Sequence, residues 1–305
     1  MKELQPDIIH CQLIRMAEYV RNDHQIPRVL DYMDALSADM KRRAGLRPIF
    51  SRWIFLIEAQ RLARYESIVF DYFDARTIIS AADQKLIAHP GRKDLAIVPN
   101  GVDSDYFRIQ NATRRPRDYR MILFTGNMSY PPNVDAAKQL VTDVLPRVKN
   151  KNVRVVIAGT QPTTEVMKLA GDRVVITGWI ADIREAYAQA DLFVAPLRIG
   201  TGQQNKILEA MSMGIPCITT GHVLNGLPHK NTEQPPLIIA ENSTETAKAI
   251  DDFLENESER KEVSEKSRSW IEKNCSWDAQ TKALEQSFVN STLYKTEEAA
   301  WKIKK

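Results

Sequence analysis

The sequence predicts an α/β protein with two doubly wound parallel-sheet domains, the first of them shortened at its opening. Three observations lead there. Short runs that are apolar throughout, such as Met121–Phe124, Val155–Ala158 and Leu192–Ala195, alternate with stretches of helical periodicity, the pattern of parallel strands covered on both faces. That pattern stops at the polar stretch Arg108–Tyr119 and starts again, so two series exist. With 305 residues the chain is long enough for two medium-sized cores. The expected boundaries are 1–107 for the first domain, 108–272 for the second, and 273–305 for terminal helices packing back toward the first.

In the first series, 6–11, 28–33, 76–80 and 95–98 read as strands. A helix is expected from about Leu13, and another over 51–73, where Trp53, Leu56, Ile57, Leu62, Tyr65 and Phe70 recur at helical intervals. Asp34 and Ser37 are candidate caps for the helix between. This series opens directly on a strand, so the front of its domain reads as missing, leaving a sheet edge that needs cover from a second subunit or a dimer partner. In the second series, strands are expected at 121–126, 153–159, 174–178, 192–196, 216–220 and 237–240. Helices are expected over 134–148, 164–170, 183–190 and 206–213. The charged stretch from Glu255 onward reads as helices with Trp270, Ile271, Trp277, Leu284 and Phe288 on an apolar face.

Composition excludes several classes. A formal net charge of +3 is too small to argue for nucleic acid, so no nucleic-acid partner is expected. The runs Lys41-Arg42-Arg43 and Arg114-Arg115-Pro116-Arg117 read as solvated faces, and the first would also suit peripheral contact with the inner face of a membrane. Cys11, Cys217 and Cys275 have no paired spacing and read as reduced thiols of a cytoplasmic protein. No window approaches the roughly 18 apolar residues of a membrane span, and no leader pattern opens the chain. No His, Cys and Asp cluster has metal spacing, so neither metal nor cofactor is expected.

In open parallel sheets ligands bind beyond the carboxyl ends of the strands. The densest loop there is Arg198-Ile199-Gly200-Thr201-Gly202-Gln203-Gln204-Asn205-Lys206-Ile207-Leu208-Glu209. Its glycines permit a tight turn, the following helix start suits a phosphate, and Lys206 adds a cation. Glu209, one turn on, could accept hydrogen bonds from two ribose hydroxyls. By spacing alone the segment reads equally as an anion-binding turn and as a plain strand-to-helix turn with an outward Lys–Glu pair.

Gly126, Gly159, Gly178-Trp179-Ile180, Ala190-Asp191-Leu192-Phe193-Val194-Ala195-Pro196 and Leu208-Glu209-Ala210-Met211-Ser212-Met213-Gly214-Ile215-Pro216 together resemble family-4 glycosyltransferases, with Val98-Pro99-Asn100-Gly101-Val102-Asp103 similar to that family's crossover between domains. The resemblance covers about residues 6–290. Asn205-Lys206 and Asp34-Ala35-Leu36-Ser37 look most like sugar transferases of bacterial exopolysaccharide clusters.

The resemblance implies two Rossmann-like domains of the glycosyltransferase-B type. It also implies a nucleoside-diphosphate sugar as substrate and transfer, with retention, to a saccharide or lipid-linked acceptor. Glu209 matches the second glutamate of the family's pair, which holds the donor ribose, while Thr201 stands where the first would be. Asn127 and its neighbours replace a basic pair, so Lys206 is the compensating charge. Trp179 and Ile180 match positions that meet the base. Gly126, Gly202, Gln203, Gln204 and Asn205 complete the donor loops. On the acceptor side stand Gln12, where the family has a histidine, with Arg15 and Asp34. The departures at Thr201, Asn127 and Gln12 keep a second reading open: a truncated or degenerate transferase that binds nucleotide, or serves as a partner subunit, without turnover. A related epimerase or phosphorylase is a third.

Overall fold

The computed structural model describes residues 5–45, 48–108, 116–200, 202–228 and 234–303. The chain forms two compact units: Met1–Asn100 with Ile199–Gln203 and Trp277–Lys305, and Gly101–Arg198 with Gln204–Ser276.

The first unit opens with β1 (Ile9–Gln12), a 3₁₀ turn (Ile14–Met16) and α1 (Ala17–Val20). β2 (Arg28–Asp31), α2 (Leu36–Gly45), α3 (Ile49–Phe70), β3 (Ala75–Ile78), α4 (Ala81–Gln84), a second 3₁₀ turn and β4 (Ala96–Ile97) follow. The four strands are parallel in the order β1-β2-β3-β4, which leaves β1 at an edge of the described sheet. Val29, Leu30 and Ile78 are fully buried, as strands covered on both faces require.

α3 turns only part of its apolar residues toward the core. It begins and ends a little earlier than the periodicity indicates, and Trp53, Leu56 and Ile57 point outward. The inward residues are Ala59, Glu66, Val69 and Phe70. Apolar residues surround the first turns of this helix, so their spacing alone could not choose a face. Glu66 goes inside because Ser37 satisfies its carboxyl group twice, the backbone N–H donating at 2.9 Å and the hydroxyl at 2.6 Å. Ser37 therefore lies within the first turn of α2 and serves Glu66 rather than capping the helix.

The second unit contains β5 (Arg120–Thr125), α5 (Pro131–Lys138), which runs on through a π-turn and a 3₁₀ turn, β6 (Val153–Ala158), α6 (Thr164–Met167), β7 (Val174–Gly178), α7 (Ile183–Gln189) and β8 (Leu192–Ala195). α8 (Asn205–Ser212), β9 (Cys217–Thr219), α9 (Gly221–Leu224), β10 (Ile238–Ile239), α10 (Ser243–Glu255) and α11 (Glu257–Asn274) complete it. α12 (Trp277–Ile303) returns to the first unit, where it packs on β2 and β3. The prolines at the start of α5 fix its first turn, and Asn242 caps α10, a helix the sequence reading passed over.

The six strands are parallel in the order β10-β9-β8-β5-β6-β7. The chain moves outward from β5 to β7, then crosses back to lay β8 on the other side of β5. The strand order thus reverses between β5 and β8, and the loops leaving the carboxyl ends of these two strands diverge there. Beneath lie Phe124, Tyr187 and Phe193, all fully buried, with ring centroids of Tyr187 and Phe193 5.8 Å apart. At the opposite end of β5, the buried Asp191 carboxyl accepts from Met121 N–H (2.7 Å), Arg117 (2.5 Å) and Arg120 (3.2 Å). Arg117, expected on a solvated face, is thus committed to the core's edge. Arg114 and Arg115 lie outside the described residues.

Among the described residues no helix is long and apolar enough to cross a membrane. Cys11, Cys217 and Cys275 are buried free thiols.

Candidate functional site

Gly126 follows β5, and α8 follows the loop after β8, so the reversal of strand order brings their residues together. Lys206, in the first turn of α8, hydrogen-bonds Asn133 Oδ1 on α5 and lies 4.9 Å from the centroid of the Phe124 ring. A Cβ added to Gly126, whose φ is 152°, would stand 2.6 Å from Asn133 Nδ2 and 3.0 Å from Lys206 Nζ. Only glycine fits this approach. Asn133 in turn donates to the Asn127 carbonyl at 2.9 Å. The Asn127 side chain closes its own loop by accepting from the Ser129 N–H and hydroxyl, at 2.9 and 2.8 Å.

One turn along α8, Glu209 Oε2 accepts from the Tyr187 hydroxyl at 2.8 Å, and Thr125 Oγ1 stands 2.9 Å from the same phenol oxygen. With the phenol proton given to Glu209, Thr125 donates to Tyr187. The three residues sit on α8, α7 and β5, so each is positioned by a different element. Burial, and then the adjacent Glu209, hold the Tyr187 phenol far above its ordinary pKa, which keeps it a donor.

Burial raises the Glu209 pKa, while the Tyr187 hydrogen bond and Lys206 pull it back down. Burial pushes Lys206 the other way, to about 7, against the attraction of Glu209. An amine that titrates near neutrality takes up a proton readily when an anion arrives. α8 has no side-chain cap at Gln204 and no acidic residue in its first turn, so its dipole favours an anion at that end.

The glycine-rich loop is divided between the two units. Arg42 donates to the Gly200 carbonyl at 2.7 Å, Asp83 Oδ2 accepts from the Gly202 N–H at 3.1 Å, and Gln203 is buried. The Gln203 amide makes two bonds with the Asn100 backbone, donating at 2.8 Å and accepting at 3.1 Å. These bonds lie within the first unit and tie the Gln203 amide to the turn at Asn100. Gly202 borders Asp34, since an added Cβ would lie 3.4 Å from Asp34 Cβ. Thr201 lies outside the described residues.

Asn205 is exposed at the start of α8, and Trp179, beyond β7, is 70% exposed, whereas Ile180 packs partly against the core. In the first unit, Gln12 at the end of β1 and Arg15 in the turn after it are exposed, and Gln12 Nε2 lies 3.2 Å from the Met33 sulfur. Leu13 and Met33, at the ends of β1 and β2, have φ values of 73° and 64°. Such strain in non-glycine residues clusters at functional edges.

Sequence reasoning missed three residues. Tyr187 and Asn133 are polar side chains on helices distant in sequence from α8, and nothing local marks them. Arg198 was within the glycine-rich segment but carried no assigned role. It forms a two-pronged ion pair with Asp135 on α5, at 3.0 and 2.6 Å, and so stands beside the helix that follows the Gly126 loop. Among the described residues, no group of three His, Cys, Asp or Glu side chains is placed to hold a metal ion.

Residues 119–256 match the model of a family described as glycosyl transferases group 1. No curated protein matches the sequence. Anabaena Alr3699/HepE, solved in complex with UDP, is similar in structure, with a TM-score of 0.71 at 14% identity over 93% of this chain and 78% of that one. Sucrose-phosphate synthase from Thermosynechococcus elongatus gives 0.69 at 17% identity, over 96% and 74%. A glycosyltransferase from Rickettsia africae ESF-5 gives 0.62 at 13% identity, over 94% and 99%. With the two parallel sheets described above, these likenesses establish two Rossmann-like units of the glycosyltransferase-B fold.

Proposed function

We propose that the second unit binds a nucleoside-diphosphate sugar beyond β5 and β8, and that the protein transfers the sugar, with retention, to a saccharide or lipid-linked acceptor. The observation that carries this reading is the convergence of Gly126, Lys206 and Glu209 where the strand order reverses. The family description over the same residues, and the UDP and UDP-glucose bound to Anabaena Alr3699/HepE, support it. Asn205-Lys206 and Asp34-Ala35-Leu36-Ser37, which resemble exopolysaccharide-cluster enzymes of family 4, support a role of that kind.

In this reading Glu209, oriented by Tyr187, accepts from the ribose hydroxyls. The first turn of α8, with Gln204, Asn205 and protonated Lys206, faces the diphosphate across the Gly126–Asn127 loop. Arg198 lies within reach of the same phosphates by exchanging its partner Asp135. Trp179 offers an exposed ring beside the base, and the backbone at Ile180 borders it. Gln12, Arg15 and Asp34, in the first unit, are the candidate acceptor-side residues. The bond from the anomeric carbon to the diphosphate breaks as the acceptor oxygen bonds to that carbon, and the acceptor proton passes to the departing phosphate. The protein contributes placement and charge stabilisation rather than a base.

A second reading, nucleotide binding without turnover, is favoured by one observation. Gln12, in the place of the family's histidine, lies against the Met33 thioether. Calorimetric titration with UDP and GDP tests the binding claim. Glu209→Ala should weaken binding several-fold, whereas Asp172→Ala, at the opposite end of the sheet, should not; equal binding by both removes the site. Slow hydrolysis of a nucleotide sugar by the purified chain supports transfer, and binding without any turnover supports the second reading.

A further inference from the structure

The outward face of α3 has a composition that water alone does not explain. Ile49 is 87% exposed, Phe50 77%, Trp53 58% and Ile54 52%, with Leu56 and Ile57 also exposed. These residues form one continuous apolar surface over the first turns of the helix. Single exposed apolar residues are ordinary, but a contiguous group of six marks a surface made to be covered. Trp53 Nε1 donates to the Phe50 carbonyl at 2.8 Å, which holds the indole along the helix surface.

The same face changes character further along. At 100° per residue, Gln60, Arg61 and Arg64 continue the outward stripe, and all three are exposed. Arg61 and Arg64 stand about 12 and 17 Å beyond Trp53 along the axis. No acidic residue shares this stripe. The two carboxylates of α3 are Glu58, half-buried on the flank, and Glu66, buried against Ser37. Lys41 on α2 and Arg52 on α3 add exposed cations near the apolar end. Arg42 and Arg43, which the sequence alone offers as the basic face, are engaged elsewhere, by the Gly200 carbonyl and by Asp39.

We propose that the first half of α3 docks on the surface of an anionic phospholipid bilayer. An apolar tip bearing Trp and Phe, followed by a cationic band free of carboxylates, complements acyl chains beneath and negative headgroups above. Ile49, Phe50, Trp53 and Ile54 enter the boundary of the acyl region, and Arg61 and Arg64 lie at the level of the lipid phosphates. A second copy of this chain would complement the apolar tip but would meet the cationic band with the same charge.

Co-sedimentation of the full chain with vesicles tests this, using phosphatidylcholine alone and phosphatidylcholine mixed with phosphatidylglycerol. Binding is expected only to the mixed vesicles and should weaken with salt. Trp53→Glu combined with Ile54→Glu, and Arg61→Glu combined with Arg64→Glu, should each lower partitioning by about tenfold or more. Both pairs are exposed, so thermal unfolding and UDP titration should match the unaltered chain, which separates loss of docking from loss of fold or of the donor site. Absence of binding to the mixed vesicles overturns the proposal, as does equal binding by the charge-reversed variant. Self-association that Trp53→Glu abolishes, without vesicle binding, would assign the face to a second copy instead.

Discussion

The Tyr187 hydroxyl donates to Glu209 Oε2 at 2.8 Å and so fixes the one carboxylate that the proposed donor site cannot do without. Replacing Tyr187 with Phe leaves the ring in the core and removes only that donor. The bond also lowers the Glu209 pKa, so its loss moves that pKa further upward. Nucleotide binding by the carboxylate weakens as pH falls through the raised value. Tyr187→Phe should therefore weaken UDP binding by about fivefold, the worth of one hydrogen bond, and shift the acid limb of the binding profile to higher pH. Calorimetric titration across pH checks both. A changed affinity with an unmoved limb would mean that Tyr187 acts through packing alone.

Lys206 ties stability to function with opposite signs. Burial holds its folded pKa at about 7, below that of a lysine in the unfolded chain. From about pH 7 up to the ordinary lysine range the unfolded state binds more protons, so this residue makes stability rise with pH. Lys206→Met should flatten that rise and stabilise the empty protein at neutral pH by on the order of 1 kcal/mol. The same change should weaken nucleoside-diphosphate binding about tenfold. Urea unfolding at several pH values, beside UDP titration, reads both effects.

Gln203 should behave as a structural residue despite lying in the glycine-rich loop. Its amide makes two bonds to the Asn100 backbone. Gln203→Leu should cost about 2 kcal/mol of stability. UDP affinity should stay within about twofold, since these bonds, rather than a ligand, occupy the amide. A large loss of affinity without loss of stability would return Gln203 to the donor site.

Asp191 anchors β5 from the end opposite the site. Its buried carboxyl group accepts from Arg117, Arg120 and the Met121 backbone. Asp191→Ala leaves two guanidinium groups and an N–H without that acceptor and should cost roughly 3–5 kcal/mol. Thermal unfolding checks this, and nucleotide affinity in the fraction that stays folded should be unchanged.

The sequence determined the class of the fold, because the apolar runs at β5, β6 and β8 and the helical periods between them are local properties of the chain. It also marked Gly126, Lys206 and Glu209, whose residue types suit a turn, a phosphate and a ribose. It could not place β8 beside β5, since strand order depends on pairing between segments about seventy residues apart. Nor could it orient α3, where apolar residues on several sides give the same period whichever face turns inward. The burial of Glu66 against Ser37 decided that, and so left Trp53 outside. The tertiary structure alone brought Tyr187 to Glu209 and Asn133 to Lys206, assigned Gln203 to Asn100, and set the pKa of Lys206. Each of these depends on what lies next to a side chain in space, and burial and hydrogen bonding act only over that distance.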